Sequence, residues 1–210
     1  MSRYAKLTAG LIAAWFVFSL AASALHLYRS GPNAPPLALG IAVLSPIVVF
    51  IVWFTRSAAF REFTLSLNPR ALTFVQSWRL AGFVFLVLAA YGILPKAFAL
   101  PAGWGDIAIG ATASLAALRL ATAERRSGFI LWQVLGMTDL VLAVTLGTLA
   151  GIIDPHGIPT NAMTVLPMSL IPTFAVPLFF ILHIICIAQA RQWAVQRVSP
   201  AGRPLHSHAG

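Results

Sequence analysis

A chain of 210 residues with 59 per cent apolar and only 9 per cent charged residues falls far below the roughly 25 per cent charge of a soluble domain, which excludes a water-soluble globular fold. Fourteen basic against five acidic side chains give a net charge of +9, yet these charges are too sparse to form a phosphate-tracking face, so no nucleic-acid binding is expected. Cys186 is the single cysteine, which excludes an internal disulfide and argues against a thiolate zinc site.

About 20 mainly apolar residues carry a helix across a bilayer, because lipid offers no partner to exposed backbone groups. Six stretches meet that length, so the expected fold is an all-α, polytopic membrane helix bundle with six transmembrane helices. The first covers residues 7–27. Its small residues Gly10, Ala14, Ala21 and Ala22 suit a packed span. Arg3 and Lys6, the apolar run from Leu11 to Leu20, and Ala22-Ser23-Ala24 also fit a cleavable signal peptide, which would leave five spans. A turn rich in glycine and proline, Ser30-Gly31-Pro32-Asn33 with Pro35-Pro36, leads to the second span, 37–55.

The inner loop 56–70 is too short and polar to cross. Phe60, Phe63, Leu65 and Leu67 give it an apolar side, so it is expected to lie along the lipid headgroups as an anchor. Asn68 and Pro69 read as the N-cap and first residue of the third span, 71–94. Pro101, Gly103 and Gly105 mark a loop that folds back over the outer mouth, and Asp106 then reads as the N-cap of the fourth span, 105–123. The small residues of that span, among them Gly110, Ala113, Ala116 and Ala117, suit a central helix or a homo-oligomer interface. Glu124-Arg125-Arg126-Ser127 separates it from the fifth span, 128–152, and Asp154-Pro155-His156-Gly157 closes the fifth. The sixth, 165–190, contains Pro167, Pro172 and Pro177, which remove backbone donors and predict a kinked helix with open carbonyls that Ser169 and Thr173 can partly satisfy. Residues 191–210 form a basic tail expected to be disordered, and His206 and His208 there lack the further ligands a metal needs.

Lysine and arginine in short loops stay cytoplasmic. With the N-terminus inside, the inner segments hold Arg3, Lys6, Arg56, Arg61, Arg70, Arg125, Arg126, Arg191, Arg197 and Arg203, against Arg29 and Lys96 outside. Both termini are therefore expected in the cytoplasm, with the bilayer, of the bacterial inner-membrane kind, as the principal partner. Trp53, Trp132 and Trp193 would mark the inner boundary, and Tyr28, Tyr91 and Trp104 the outer one.

Ionisable groups at membrane depth carry the functional signal. Arg79 falls about 5 Å to the cytoplasmic side of the midpoint of the third span, Asp139 near the midpoint of the fifth, and His183 about 8 Å inside that of the sixth. Gln76, three residues before Arg79, shares its helical side, and Gln133 lies on the fifth span with Gly136, Asp139, Leu140, Ala143 and Gly147 on one third of the circumference. An Arg79–Asp139 ion pair is expected, with His183, Gln76 and Gln133 beside it; it serves either function or helix register. A second, outer constellation comprises His26, Asp106, Asp154 and His156, which lacks the fixed spacing of a metal motif.

No Walker loop, dinucleotide turn, nucleophile elbow or zincin helix occurs, and Lys6 and Lys96 lie outside the spans, so no retinal-type Schiff base is available. The first functional expectation is a transporter or channel for a small solute or ion, with Arg79, Asp139 and His183 at its polar site. The alternatives are a haem-binding redox protein using His183 or His26, and an assembly or scaffold subunit.

Overall fold

A computed structural model describes residues 3–29, 37–154 and 156–198. Among the described residues there is no strand. The helices are α1 (Arg3–Ala24), α2 (Leu37–Arg56), α3 (Ala58–Leu65), α4 (Pro69–Val75), α5 (Phe83–Ala90), α6 (Lys96–Arg119), α7 (Arg126–Ile153) and α8 (Val176–Val198). A 3₁₀ segment, Gln76–Gly82, joins α4 to α5, and a π-helical turn, Ile171–Ala175, precedes α8. Among the described residues five helical stretches are long and apolar enough to cross a membrane: Arg3–Ala24, Leu37–Arg56, Pro69–Ala90, Arg126–Ala150 and Ile171–Trp193. The turn at residues 30–36 and the tail from residue 199, with His206 and His208, lie outside the described residues. Of the stretch 191–210, the described residues up to Val198 belong to α8.

The surface is the reverse of a soluble protein's. Trp78 is 77% exposed while Arg79 beside it is 2% exposed, and Leu25, Leu44, Leu118 and Leu131 also face outward. Such a distribution is stable where the surroundings are lipid and the polar groups find partners inside.

The largest departure from the sequence reading is α6. The glycine and proline signals at 101–105 do not make a loop; the helix starts at Lys96, straight after Pro95. Phe98, Ala99 and Ala102 pack into one cluster with Phe85, Leu94 and Met163. Pro101 forfeits only the bond to the carbonyl of Ala97, and that loss is offset by the cluster. Asp106 is accordingly the eleventh residue of a 24-residue helix and not its N-cap. Alanine and glycine replace the larger aliphatics on α6, which is why it is not among the five apolar stretches. It packs against α4, the 3₁₀ segment, α5 and α7, so its small face, including Gly103, Gly110, Ala113 and Ala117, is taken up within the chain.

The third span is also irregular. Asn68 caps it as expected, its Oδ1 accepting from Arg70 N at 2.9 Å and Ala71 N at 3.4 Å. The α-helix then tightens to 3₁₀ at Gln76 and the span ends at Ala90 rather than at residue 94. Three residues per turn bring Gln76, Arg79 and Gly82 onto one line, and all three are buried.

The segment after α2 is packed against the rest of the bundle. Ser57 caps α3, and Phe60 is buried against Phe50 and Ile185, its ring stacked on Trp53 at 3.8 Å. Gln189 of α8 donates to the carbonyls of Thr64, Leu65 and Leu67, closing the end of α3. Two of the aromatic residues expected at the membrane boundaries are covered by protein: Trp132 donates to Thr112 Oγ1 at 3.0 Å, and Tyr28 is buried.

The prolines of the last span have partners elsewhere. Pro177 has no N–H for the carbonyl of Thr173; that oxygen accepts from Trp15 Nε1 at 3.1 Å and Ser19 Oγ at 3.4 Å, both on α1. Ser169 and Thr173 do not fill proline-freed carbonyls in these bonds: Thr173 Oγ1 donates to the carbonyl of Ser169 at 2.7 Å, which already accepts from Thr173 N, and Ser169 Oγ donates to Ser23 Oγ at 2.8 Å. Trp15→Phe keeps the ring and removes the indole donor. It should cost about 1 kcal/mol, read as a lowered midpoint in thermal unfolding of the detergent-solubilised protein, whereas Trp15→Phe in a Pro177→Ala background should cost less.

Candidate functional site

Four ionisable side chains lie close to the middle of four helical stretches. Arg79 is the eleventh of the 22 residues from Pro69 to Ala90, Asp139 the fourteenth of the 25 from Arg126 to Ala150, and His183 the thirteenth of the 23 from Ile171 to Trp193. Asp106 is equally central in α6. The offsets estimated from sequence for Arg79 and His183 shrink because the helices begin and end at other residues.

Arg79 holds the cluster together. Its Nε donates to Asp106 Oδ1 at 2.7 Å, one terminal nitrogen donates to Asp139 Oδ2, and the other donates to the carbonyl of Gly136 at 3.1 Å. The expected Arg79–Asp139 pair is thus present, and a second carboxylate joins it. Only the acids keep some access: the side chains of Asp106 and Asp139 are 16% and 13% exposed, against 1% for Arg79. Two carboxylates on one guanidinium leave one negative charge in excess when all three are ionised.

The same guanidinium fixes His183. Its nitrogen lies 3.5 Å from His183 Nε2, and a guanidinium can only donate, so Nε2 is the accepting nitrogen and the ring proton sits on Nδ1. Nδ1 donates to Gln133 Oε1 at 2.5 Å, Gln133 Nε2 donates to Thr73 Oγ1 at 3.0 Å, and Thr73 donates to the carbonyl of Pro69 at 2.8 Å. Both histidine nitrogens are therefore used. A proton added at Nε2 would point an N–H at the N–H of Arg79. Trp132 covers the ring, with centroids 5.9 Å apart.

Gln76 lies outside this chain of bonds. Its Nε2 donates to the carbonyl of Phe179 at 3.2 Å, and its Oε1 is buried with no partner among the described residues.

Glycines make these approaches possible. A Cβ on Gly105 would overlap the carboxylate of Asp139, one on Gly82 would overlap Asp106, and one on Gly136 would overlap the ring of His183. A Cβ on Gly110 would meet the backbone nitrogen of Leu80 at 2.5 Å. The small residues of α6 and α7 are the recess into which the charged side chains fit.

The outer constellation does not assemble. Asp106 belongs to the central cluster. His26 sits in the turn after α1 with φ 59°, and Asp154 ends α7, its carbonyl accepting from Gly157 N at 3.1 Å, with His156 exposed next to it. Among the described residues no three His, Cys, Asp or Glu side chains are grouped to hold a metal ion. Asp106 had a readable signal: Ala99, Ala102, Gly103, Asp106, Gly110, Ala113 and Ala117 recur at three- and four-residue spacing, one small-residue stripe of a helix that contains the acid. Thr73 and Trp132 carried no signal beyond position.

Residues 35–191 match the family described as a domain of unknown function, DUF8737. The chain belongs to this family. The matched region contains every member of the DUF8737 cluster just described, and α1 lies before it. No curated protein and no solved structure matches the chain.

Proposed function

We propose that this DUF8737 protein is a six-span transporter of a small solute or ion, driven by binding and release of one proton at the Asp106–Arg79–Asp139 cluster. In this reading α6 is the fourth span in chain order and joins the five apolar stretches to make six, both termini are cytoplasmic, and the membrane is of the bacterial inner-membrane kind. The observation that carries the proposal is the pairing of two carboxylates from two helices with one buried guanidinium at mid-helix. A structural pin needs one carboxylate; a second leaves a charge that a proton neutralises, and the acids are the only cluster members with exposure. Ionisable groups at such depth recur in proton relays. Four of the five Arg79 N–H donors face Asp106, Asp139, the Gly136 carbonyl and His183, so in this reading its part is to hold the acids rather than to receive an anionic solute. His183, engaged at both nitrogens, orients Arg79 rather than carrying a proton. The same engagement weakens the haem reading, since an iron ligand would have to give up Arg79 or Gln133.

The test is current recording from proteoliposomes on a solid-supported membrane. Amino acids, sugars, organic cations and organic anions are applied in turn with a pH gradient. One class should evoke a current in the wild type that is lost in Asp106→Asn and in Asp139→Asn. Asn variants that are folded and carry the same current would remove the cluster from the mechanism and favour a scaffold subunit.

A further inference from the structure

A groove of about 520 Å³ runs along α8, away from the central cluster. Its floor is a single stripe of that helix, Ile184, Ile187, Ala188 and Arg191, at the three- and four-residue spacing of one helical face. Phe54 of α2 and Met137 of α7 form its apolar sides, and Arg61 of α3 stands at the mouth with Arg191. Gln189 docks α3 on this end of α8 through its bonds to the carbonyls of Thr64, Leu65 and Leu67, and Arg61 and Arg191 thereby line the same groove. Both arginines are exposed and neither has a carboxylate partner among the described residues.

We infer that this groove binds one anionic phospholipid, its phosphate between Arg61 and Arg191 and one acyl chain along Ile187, Ile184 and Met137. Two features select this occupant. The cations come from separate elements and line one groove, and a guanidinium fork matches phosphate oxygens two at a time. Beneath them Ala188, Ile187 and Ile184 make the lining apolar over the seven residue steps from Arg191 to Ile184, about 10 Å of helix, which a free inorganic anion would leave unfilled. Zwitterionic lipid fills the apolar part equally well but brings its own cation to the two arginines. The groove lies at the end of the protein richest in basic residues, where an anionic leaflet surface attracts them.

Native mass spectrometry of the full chain, released from nanodiscs of equal phosphatidylglycerol and phosphatidylcholine, tests the inference. One phosphatidylglycerol should stay bound in preference to phosphatidylcholine. Arg61→Gln and Arg191→Gln should each lower that preference about fivefold, Arg61→Lys should keep most of it, and thermal unfolding should show each variant folded. Ile187→Trp fills the groove and leaves both arginines; it should abolish retention of the lipid. Equal retention of the two lipids would overturn the inference. So would undiminished phosphatidylglycerol retention in Ile187→Trp, or its displacement by millimolar inorganic phosphate, since either would make the two arginines a site for the anion alone.

Discussion

Arg79→Met should destabilise the protein by about 3–5 kcal/mol, the cost of leaving a buried charge without its partner. The reason is specific to this cluster. Asp106 and Asp139 both bond to Arg79, so its removal leaves two carboxylates facing each other with nothing between them. The converse changes should be mild. Asp139→Asn leaves Arg79 paired with Asp106, and Asp106→Asn leaves it paired with Asp139; each cluster is then neutral, and the loss is about 1 kcal/mol for a weakened hydrogen bond. The triple change Arg79→Met, Asp106→Asn, Asp139→Asn should recover most of the loss seen in Arg79→Met, whereas pairing Arg79→Met with only one of the Asn changes should recover part of it. Denaturant titration of the purified variants in one detergent gives this order. An Asp139→Asn variant as unstable as Arg79→Met would mean that Arg79 depends on that acid alone.

The second large effect belongs to a residue without a side chain. Gly105→Ala should cost about 1–3 kcal/mol, the usual penalty for overfilling a packed interior, and should also reduce any activity of the cluster. The added methyl falls on the carboxylate of Asp139, and α6 cannot retreat because its other glycines press against Leu80 and Leu86. Asp139 must then turn away from Arg79. Gly40 and Gly10 provide the control. A Cβ there meets nothing within 4 Å, and alanine is the better helix former by about 1 kcal/mol, so Gly40→Ala and Gly10→Ala should stabilise slightly. Thermal unfolding of the three variants side by side reads the difference in sign; a Gly105→Ala protein as stable as Gly40→Ala would contradict the close packing of α6 and α7.

Much of this architecture was legible because apolar length is a strong signal and charges at depth are rare. The stripe of α7 that bears Gln133, Gly136 and Asp139 follows directly from 100° per residue, and it is the stripe turned inward. Arg79 and Asp139 could be paired on the cost of an isolated charge alone. What misled was local punctuation at 101–105: Pro101 with Gly103 and Gly105 looks like a loop, yet the packing of Phe98, Ala99 and Ala102 keeps the stretch helical. That single error moved Asp106 to the boundary and hid the second carboxylate. The 3₁₀ tightening at Gln76–Gly82 could not be read either; it lies where Leu80 comes close to Gly110 of α6, a contact between residues 30 apart in the chain. The partner of the carbonyl freed by Pro177 was hidden for the same reason: Trp15 is more than 150 residues away along the chain.

The account turns on the surplus carboxylate, and infrared spectroscopy observes it directly. The carbonyl stretch of a protonated carboxyl group is followed in nanodiscs as pH is raised, and the contribution of Glu62, Glu124 and Asp154 is removed by subtracting the Asp106→Asn, Asp139→Asn double variant. The wild type should show one additional carboxyl group losing its proton, and either single Asn change should abolish that signal, because the remaining acid is balanced by Arg79. A signal that survives in one of the single variants, or none in the wild type, would contradict the sharing of one guanidinium by two acids that exchange a proton.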